Sequence, residues 1–166
     1  MNIDLKALSA FQESEEHFVY NDSEDDIRSI LMDVCKALSD KLNFSVSGFG
    51  QARWPVDAST DLPVFIEQLP HALNALASGE AAQIDFYEQG LERSLTFFVE
   101  KNLCRVLCQS WSSWKPVPTE EILELGCVRE MLGSVQTTFL RVLEAAFPVL
   151  RHHPWVVAWE KGEELI

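Results

Sequence analysis

Asp85, Glu88, Glu92 and Arg93 fall within one short stretch, Ile84 to Phe97, reading IDFYEQGLERSLTF. Carboxylates this close are the raw material of a hydrolytic site, where one group donates a proton and another attacks or activates water. Whether they can cooperate depends on the element that carries them. Gln83 to Glu88 and Leu91 to Glu100 are strand-like runs joined by Gln89-Gly90, the signature of a β-hairpin. Pairing through that turn sets Ile84 opposite Leu95, Phe86 opposite Arg93, Tyr87 opposite Glu92 and Glu88 opposite Leu91. Strand side chains alternate between faces, so Glu88 and Glu92 project to opposite sides and cannot act on one bond. Glu88 lies diagonally across from Arg93, which predicts a salt bridge at the hairpin end.

Other chemistries fail on spacing. The nearest match to a serine nucleophile elbow, VSGFG, places Ser47 before both glycines instead of between them. Gly48 and Gly50 form G-x-G, but position 53 is Arg53 and Pro55 follows, so the dinucleotide fingerprint is broken and a bulge or turn is expected. His152 and His153 are adjacent, a poor arrangement for shared ligation, and neither C-x-x-C nor H-E-x-x-H accompanies them. No catalytic residue, cofactor or metal site is expected.

The elements around the hairpin define an α+β domain. Leu103 to Trp111 continues the sheet through a Lys101-Asn102 turn, placing Leu95, Phe97 and Val99 opposite Cys108, Val106 and Cys104 on one apolar face. The reverse face carries Tyr87, Phe98, Leu103, Leu107 and Trp111, to be covered by another element or left for a partner. With Asn43 to Gly50, these runs predict an antiparallel sheet of about four strands, approximately 43–50, 83–88, 91–100 and 103–111. Helical spacing of apolar residues predicts helices over approximately 24–41, 61–78 and 119–147. Ser23 and Asp26 open the first, Pro70 is expected to kink or split the second, and Thr119, Glu120 and Glu121 open the third. Segment 152–166 fits a strand or a helical turn equally. A chain of 166 residues reads as a single domain, 1–166.

Charge narrows the partners. Lys plus Arg number 13 against 26 Asp plus Glu, a formal charge of −13, which repels phosphate backbones and anionic headgroups and attracts basic surfaces. Nucleic acid and membrane are not expected as partners. The N-terminal sequence lacks a basic region followed by an apolar run, so a cytosolic location is expected, with all four cysteines reduced and buried. The candidate partner-binding residues are the acids Asp22, Glu24, Asp25 and Asp26, the acids Asp57 and Asp61, and Trp54 or Trp114 as an apolar anchor.

The segments GFGQARWPVDASTDLPVFIEQLP, IDFYEQGLERSLTFF and CQSWSSWKPVP resemble the small acidic immunity proteins encoded beside bacterial polymorphic toxins of the contact-dependent inhibition, type VI and Rhs kinds. The resemblance spans roughly Phe44 to Pro118. It implies a non-catalytic cytosolic protein that binds and neutralises a cognate toxin domain, which the acidic surface would favour being basic. The alternatives are a type III-like secretion chaperone, expected to be a dimer holding a partly unfolded effector, and an enzyme with a deep pocket of convergent titratable groups.

Overall fold

The structure, a computed structural model, describes residues 1–163. Its elements run β1 (Asn2–Ala7), α1 (Ile27–Ala37), β2 (Leu42–Ser47), α2 (Asp61–Ala77), β3 (Ala82–Phe86), β4 (Arg93–Glu100), β5 (Leu103–Ser110), β6 (Glu120–Glu124), α3 (Leu125–Ala146), α4 (Pro148–Arg151) and α5 (Pro154–Lys161). The class is α+β, with a four-stranded antiparallel sheet in the order β3-β4-β5-β6 and a separate β1-β2 ribbon.

The hairpin registers follow the residue pattern. Ile84 faces Leu95 and Phe86 faces Arg93, and Leu95, Phe97 and Val99 face Cys108, Val106 and Cys104. Tyr87 and Glu88 lie beyond β3 in the connecting loop, so the expected pairs Tyr87–Glu92 and Glu88–Leu91 do not form. The turn instead closes with the Glu88 carbonyl accepting from the amides of Leu91 and Glu92, and Glu92 adopts a left-handed φ of 43°.

Two strands sit elsewhere than expected. The strand expected over 43–50 leaves the main sheet and pairs with β1, setting Ile3 opposite Val46 and Leu5 opposite Phe44. Those four side chains are buried, and that burial is what a short ribbon needs to be stable. The fourth strand of the main sheet is β6, where a helix was expected from residue 119; α3 begins at Leu125. Pairing with β5, from Leu103–Glu124 to Leu107–Glu120, overrides the helix-start signal of Thr119, Glu120 and Glu121. The G-x-G segment is a turn: Gly48 and Gln51 exchange backbone hydrogen bonds of 2.9 and 3.0 Å. A Cβ at Gly50, whose φ is +82°, would meet the Val117 carbonyl oxygen at 2.1 Å, so only glycine fits.

Helix α2 covers the inner face of the sheet, and Phe65 stacks on Phe86 at 5.7 Å and meets Phe44 at 5.4 Å. It stays one helix through Pro70 and does not split there. Proline removes the donor that would have bonded the Ile66 carbonyl. The Trp159 indole N–H of α5 takes its place, donating to the carbonyls of Ile66 at 3.0 Å and Glu67 at 3.2 Å. Trp159→Phe should therefore cost about 1–3 kcal/mol, the penalty of orphaning a buried carbonyl. Adding Pro70→Ala restores a backbone donor and should recover about 1 kcal/mol of that loss in a denaturant double-mutant cycle. Strict additivity of the two changes would show that the indole does not substitute for the missing amide.

Gln68, two turns into α2, treats the edge of β3 as a neighbouring strand would. Its side-chain oxygen accepts from Asp85 N–H at 2.9 Å and its nitrogen donates to the Asp85 carbonyl at 2.8 Å. The outer face of the sheet lies largely open among the described residues: Leu103, Trp111 and Ile122 are exposed, and Arg105 lies 4.5 Å over the Phe98 ring. The chain end left undecided between strand and helix is helical over Pro154–Lys161, and residues 164–166 lie outside the described residues. Cys35, Cys104 and Cys108 are free and buried, whereas Cys127 on α3 is free and exposed, contrary to the expectation for all four. No helix among the described residues is long and apolar enough to cross a membrane.

Candidate binding cleft

A cleft of about 930 Å³ opens where the N-terminus of α1 meets α2 and α5. One wall is the acidic approach to α1. Asp26 caps that helix, its carboxylate accepting from Arg28 N–H at 2.8 Å. Asp25 accepts from Asn21 N–H at 2.9 Å and from the Ser29 hydroxyl at 2.8 Å, and these bonds hold its carboxyl below the ordinary range. Both carboxylates are thus held in place by hydrogen bonds. Asp22 also lines the cleft and, among the described residues, no hydrogen bond ties down its carboxylate, while Glu24 is exposed but stands outside the lining.

The opposite wall is a polar stripe on α2. Glu67, Gln68 and His71 interrupt a mostly apolar helix at helical spacing. Glu67 binds Arg28 at 2.6 Å, bridging the two walls. The floor is aromatic, made by Trp155 and Trp159 of α5. His153 caps α5, its Nδ1 accepting from Trp155 N–H at 3.3 Å, and its ring stands 4.7 Å from Trp155. Tyr20 packs on both rings at 6.1 Å, anchoring the acidic segment over α5. Carboxylates around aromatic rings form a cation site: ion pairing holds the charge and ring faces receive the rest.

The second predicted patch separates into different roles. Trp54 is 1% exposed, wedged between Phe86 at 5.6 Å and Trp114 at 5.8 Å, so it is core and not a surface anchor. Trp114 is half-buried over the same cluster. Arg93, 3% exposed, lies over both indoles where they meet, its guanidinium carbon 3.7 Å from the Trp114 ring centre and 4.4 Å from that of Trp54. The expected Glu88–Arg93 salt bridge is absent among the described residues. Arg93 projects to the inner face of β4, where Gln51 accepts from Nη1 at 2.8 Å and Nε has no partner. Burial lowers its pKa, and burial likewise pushes the nearby Cys108 thiol up to about 11.

Asp57 and Asp61 hold the loop before α2. Burial of Asp57 is outweighed by hydrogen bonds from the hydroxyls and amides of Ser59 and Thr60, at 2.7–2.8 Å, so its carboxyl titrates below the ordinary range. Asp61 is 4% exposed and accepts from Asp57 N–H at 2.9 Å. Burial, with Asp57 and Glu88 adding repulsion, raises it to about 6. Neither acid lines the cleft.

The acids of the opening hairpin do not converge. Asp85 is held by the Gln83 side-chain amide at 2.9 and 3.1 Å, and Glu88 and Glu92 flank the turn. No group of His, Cys, Asp and Glu among the described residues could hold a metal ion. The structure therefore gathers Asp22, Asp25 and Asp26 into one cleft and disperses Trp54, Trp114, Asp57 and Asp61. Glu67, His71, His153, Trp155 and Trp159 also line that cleft, although none of them is among the residues expected to bind a partner. The polar stripe of α2 and the Pro154 that starts α5 were the available signals. Compared with known protein families, curated proteins and solved structures, the chain matches none.

Proposed function

We propose that this protein is a non-catalytic inhibitor of the immunity type, a bacterial cytosolic protein that binds and neutralises a cognate secreted toxin domain of basic character. The observation that carries the reading is the cleft, lined by Asp22, Asp25 and Asp26 together with Trp155. Its carboxylates suit a Lys or Arg side chain of the toxin, and the ring faces would bury that side chain's stem. The overall charge of −13 would speed encounter with such a domain.

The test is affinity capture of the tagged protein from its native cells at about 0.05 M and about 0.5 M salt, conditions that differ about threefold in screening length. The expected result is a stoichiometric basic domain from a large secreted protein, whose toxicity the purified chain abolishes. Asp22→Lys should weaken its binding about tenfold at the lower salt and less at the higher. Glu24→Lys, close in sequence but outside the cleft, should have the smaller effect. Equal effects of the two substitutions would remove the cleft as the docking place, and a captured toxin that keeps its full activity would remove the inhibitor reading.

A further inference from the structure

The main sheet has a free edge, and its geometry can be read from the register. Cys108 N–H donates to the Thr119 carbonyl at 2.9 Å and Leu125 N–H donates to the Asn102 carbonyl at 2.8 Å. Hydrogen-bonded pairs in an antiparallel ladder alternate, so Glu121 and Leu123 exchange bonds with β5 while Glu120 and Ile122 turn their amides and carbonyls outward. Among the described residues, nothing pairs with those outward groups. The same residues present exposed side chains: Ile122 is 65% exposed, beside exposed Leu103, and is flanked by Glu120 and Glu124. The strand carries no Lys or Arg. Across the face, Arg105 is already held by Glu100 at 3.1 Å and Glu120 at 3.3 Å. Glu121 turns the other way, to the Met1 amine and to Phe49 N–H.

We infer that β6 is a docking edge for an extended segment of another protein, one that carries basic, apolar and basic side chains at alternate positions. Backbone bonds to Glu120 and Ile122 would supply the pairing. On the exposed face, one cation would meet Glu124 and a second would share Glu120 with Arg105, while an apolar side chain covers Ile122. A second copy of this chain is poorly matched in the register centred on Ile122. Antiparallel β6–β6 pairing about Ile122 would set Glu120 of each copy opposite Glu124 of the other, and like charges directly opposed are destabilising. The inference concerns a different face from the cleft and stands apart from the immunity reading.

The test uses the whole protein, isotopically labelled for NMR, and the peptide acetyl-Lys-Thr-Val-Thr-Lys-amide. In the free protein, the amides of Glu120 and Ile122 should exchange with solvent quickly while those of Glu121 and Leu123 are protected. The peptide should shift the Glu120 and Ile122 signals. Replacing its lysines with glutamates, or N-methylating alternate amides, should weaken binding about tenfold or more, as expected for lost charge pairing and lost backbone bonds. Ile122→Pro should do the same and leave the ladder intact, because the amide it deletes points outward. The N-methylated peptide on the unmodified chain makes the same test without relying on how that variant folds. Protected amides at Glu120 and Ile122, no peptide shift there, or equal binding of the acidic or N-methylated peptide would each overturn the inference.

Discussion

Arg93→Ala should lower stability by about 3–5 kcal/mol, the scale seen when a large buried side chain is truncated. The guanidinium packs over the joined faces of Trp54 and Trp114, and its removal leaves both indoles with an empty space above them and Gln51 without its donor. Two ring contacts in a desolvated site are worth about 1–2 kcal/mol each, which offsets part of the cost of burying a charge that has no carboxylate partner. The balance makes a sharper expectation possible. Arg93→Met keeps the volume and discards both the charge and its unpartnered Nε, so it should fall within about 1 kcal/mol of the natural chain. Arg93→Lys should fare worse than Met, because a compact ammonium is strongly hydrated and cannot lie flat over the rings. Urea midpoints at constant m-value measure all three. If Met proves as damaging as Ala, the positive charge itself, and not the volume it fills over the two indoles, is what the core requires.

Stability should fall as pH rises from about 4 to 6, by an amount traceable to Asp61. Its carboxyl titrates at about 6 in the folded chain against an ordinary value of 3.8. Below 3.8 both states are protonated; between the two values the unfolded chain has released a proton that the folded chain keeps. The stabilisation is therefore complete at the acid end and lost as pH passes the folded value. At about 1.4 kcal/mol per pH unit, the span is on the order of 3 kcal/mol. Asp57, Asp25 and Glu121 pull the other way, because their folded-state values are depressed. The difference between the natural chain and Asp61→Asn isolates the one group. Asparagine keeps an oxygen for Asp57 N–H and carries no charge, so the variant should match the natural chain near pH 3.5 and exceed it at pH 7. A difference that does not change with pH would assign the slope to another residue.

The legible parts of the fold were those set by local pattern. The registers of β3, β4 and β5 follow from strict alternation and short turns, since a one-residue slip would expose the whole core face. Helices α1 and α2 follow from their apolar spacing, within a few residues at the ends. What failed needed information from elsewhere in the chain. Residues Glu120–Glu124 are a strand only because β5 offers an edge to pair with, and β2 leaves the main sheet because β1 is there to receive it. Pro70 misled for the same reason: the donor that rescues its turn comes from Trp159, far along the sequence. Arg93 was paired with the nearest acid along the hairpin, whereas the fold delivers two tryptophans and a glutamine from other loops. The acids before α1 could be chosen from charge alone, but the aromatic floor beneath them depends on α5 packing against α2.

The Gln68 amide makes the two margins of the sheet unequal. Any strand edge alternates N–H donors and C=O acceptors, and a further strand adds where both are free. At Asp85 both are already taken by a group from the same chain, so a strand added to β3 there would first have to evict a side chain held by two bonds. A strand arriving at β6 meets no such plug among the described residues, so the sheet is easier to extend on one side than on the other.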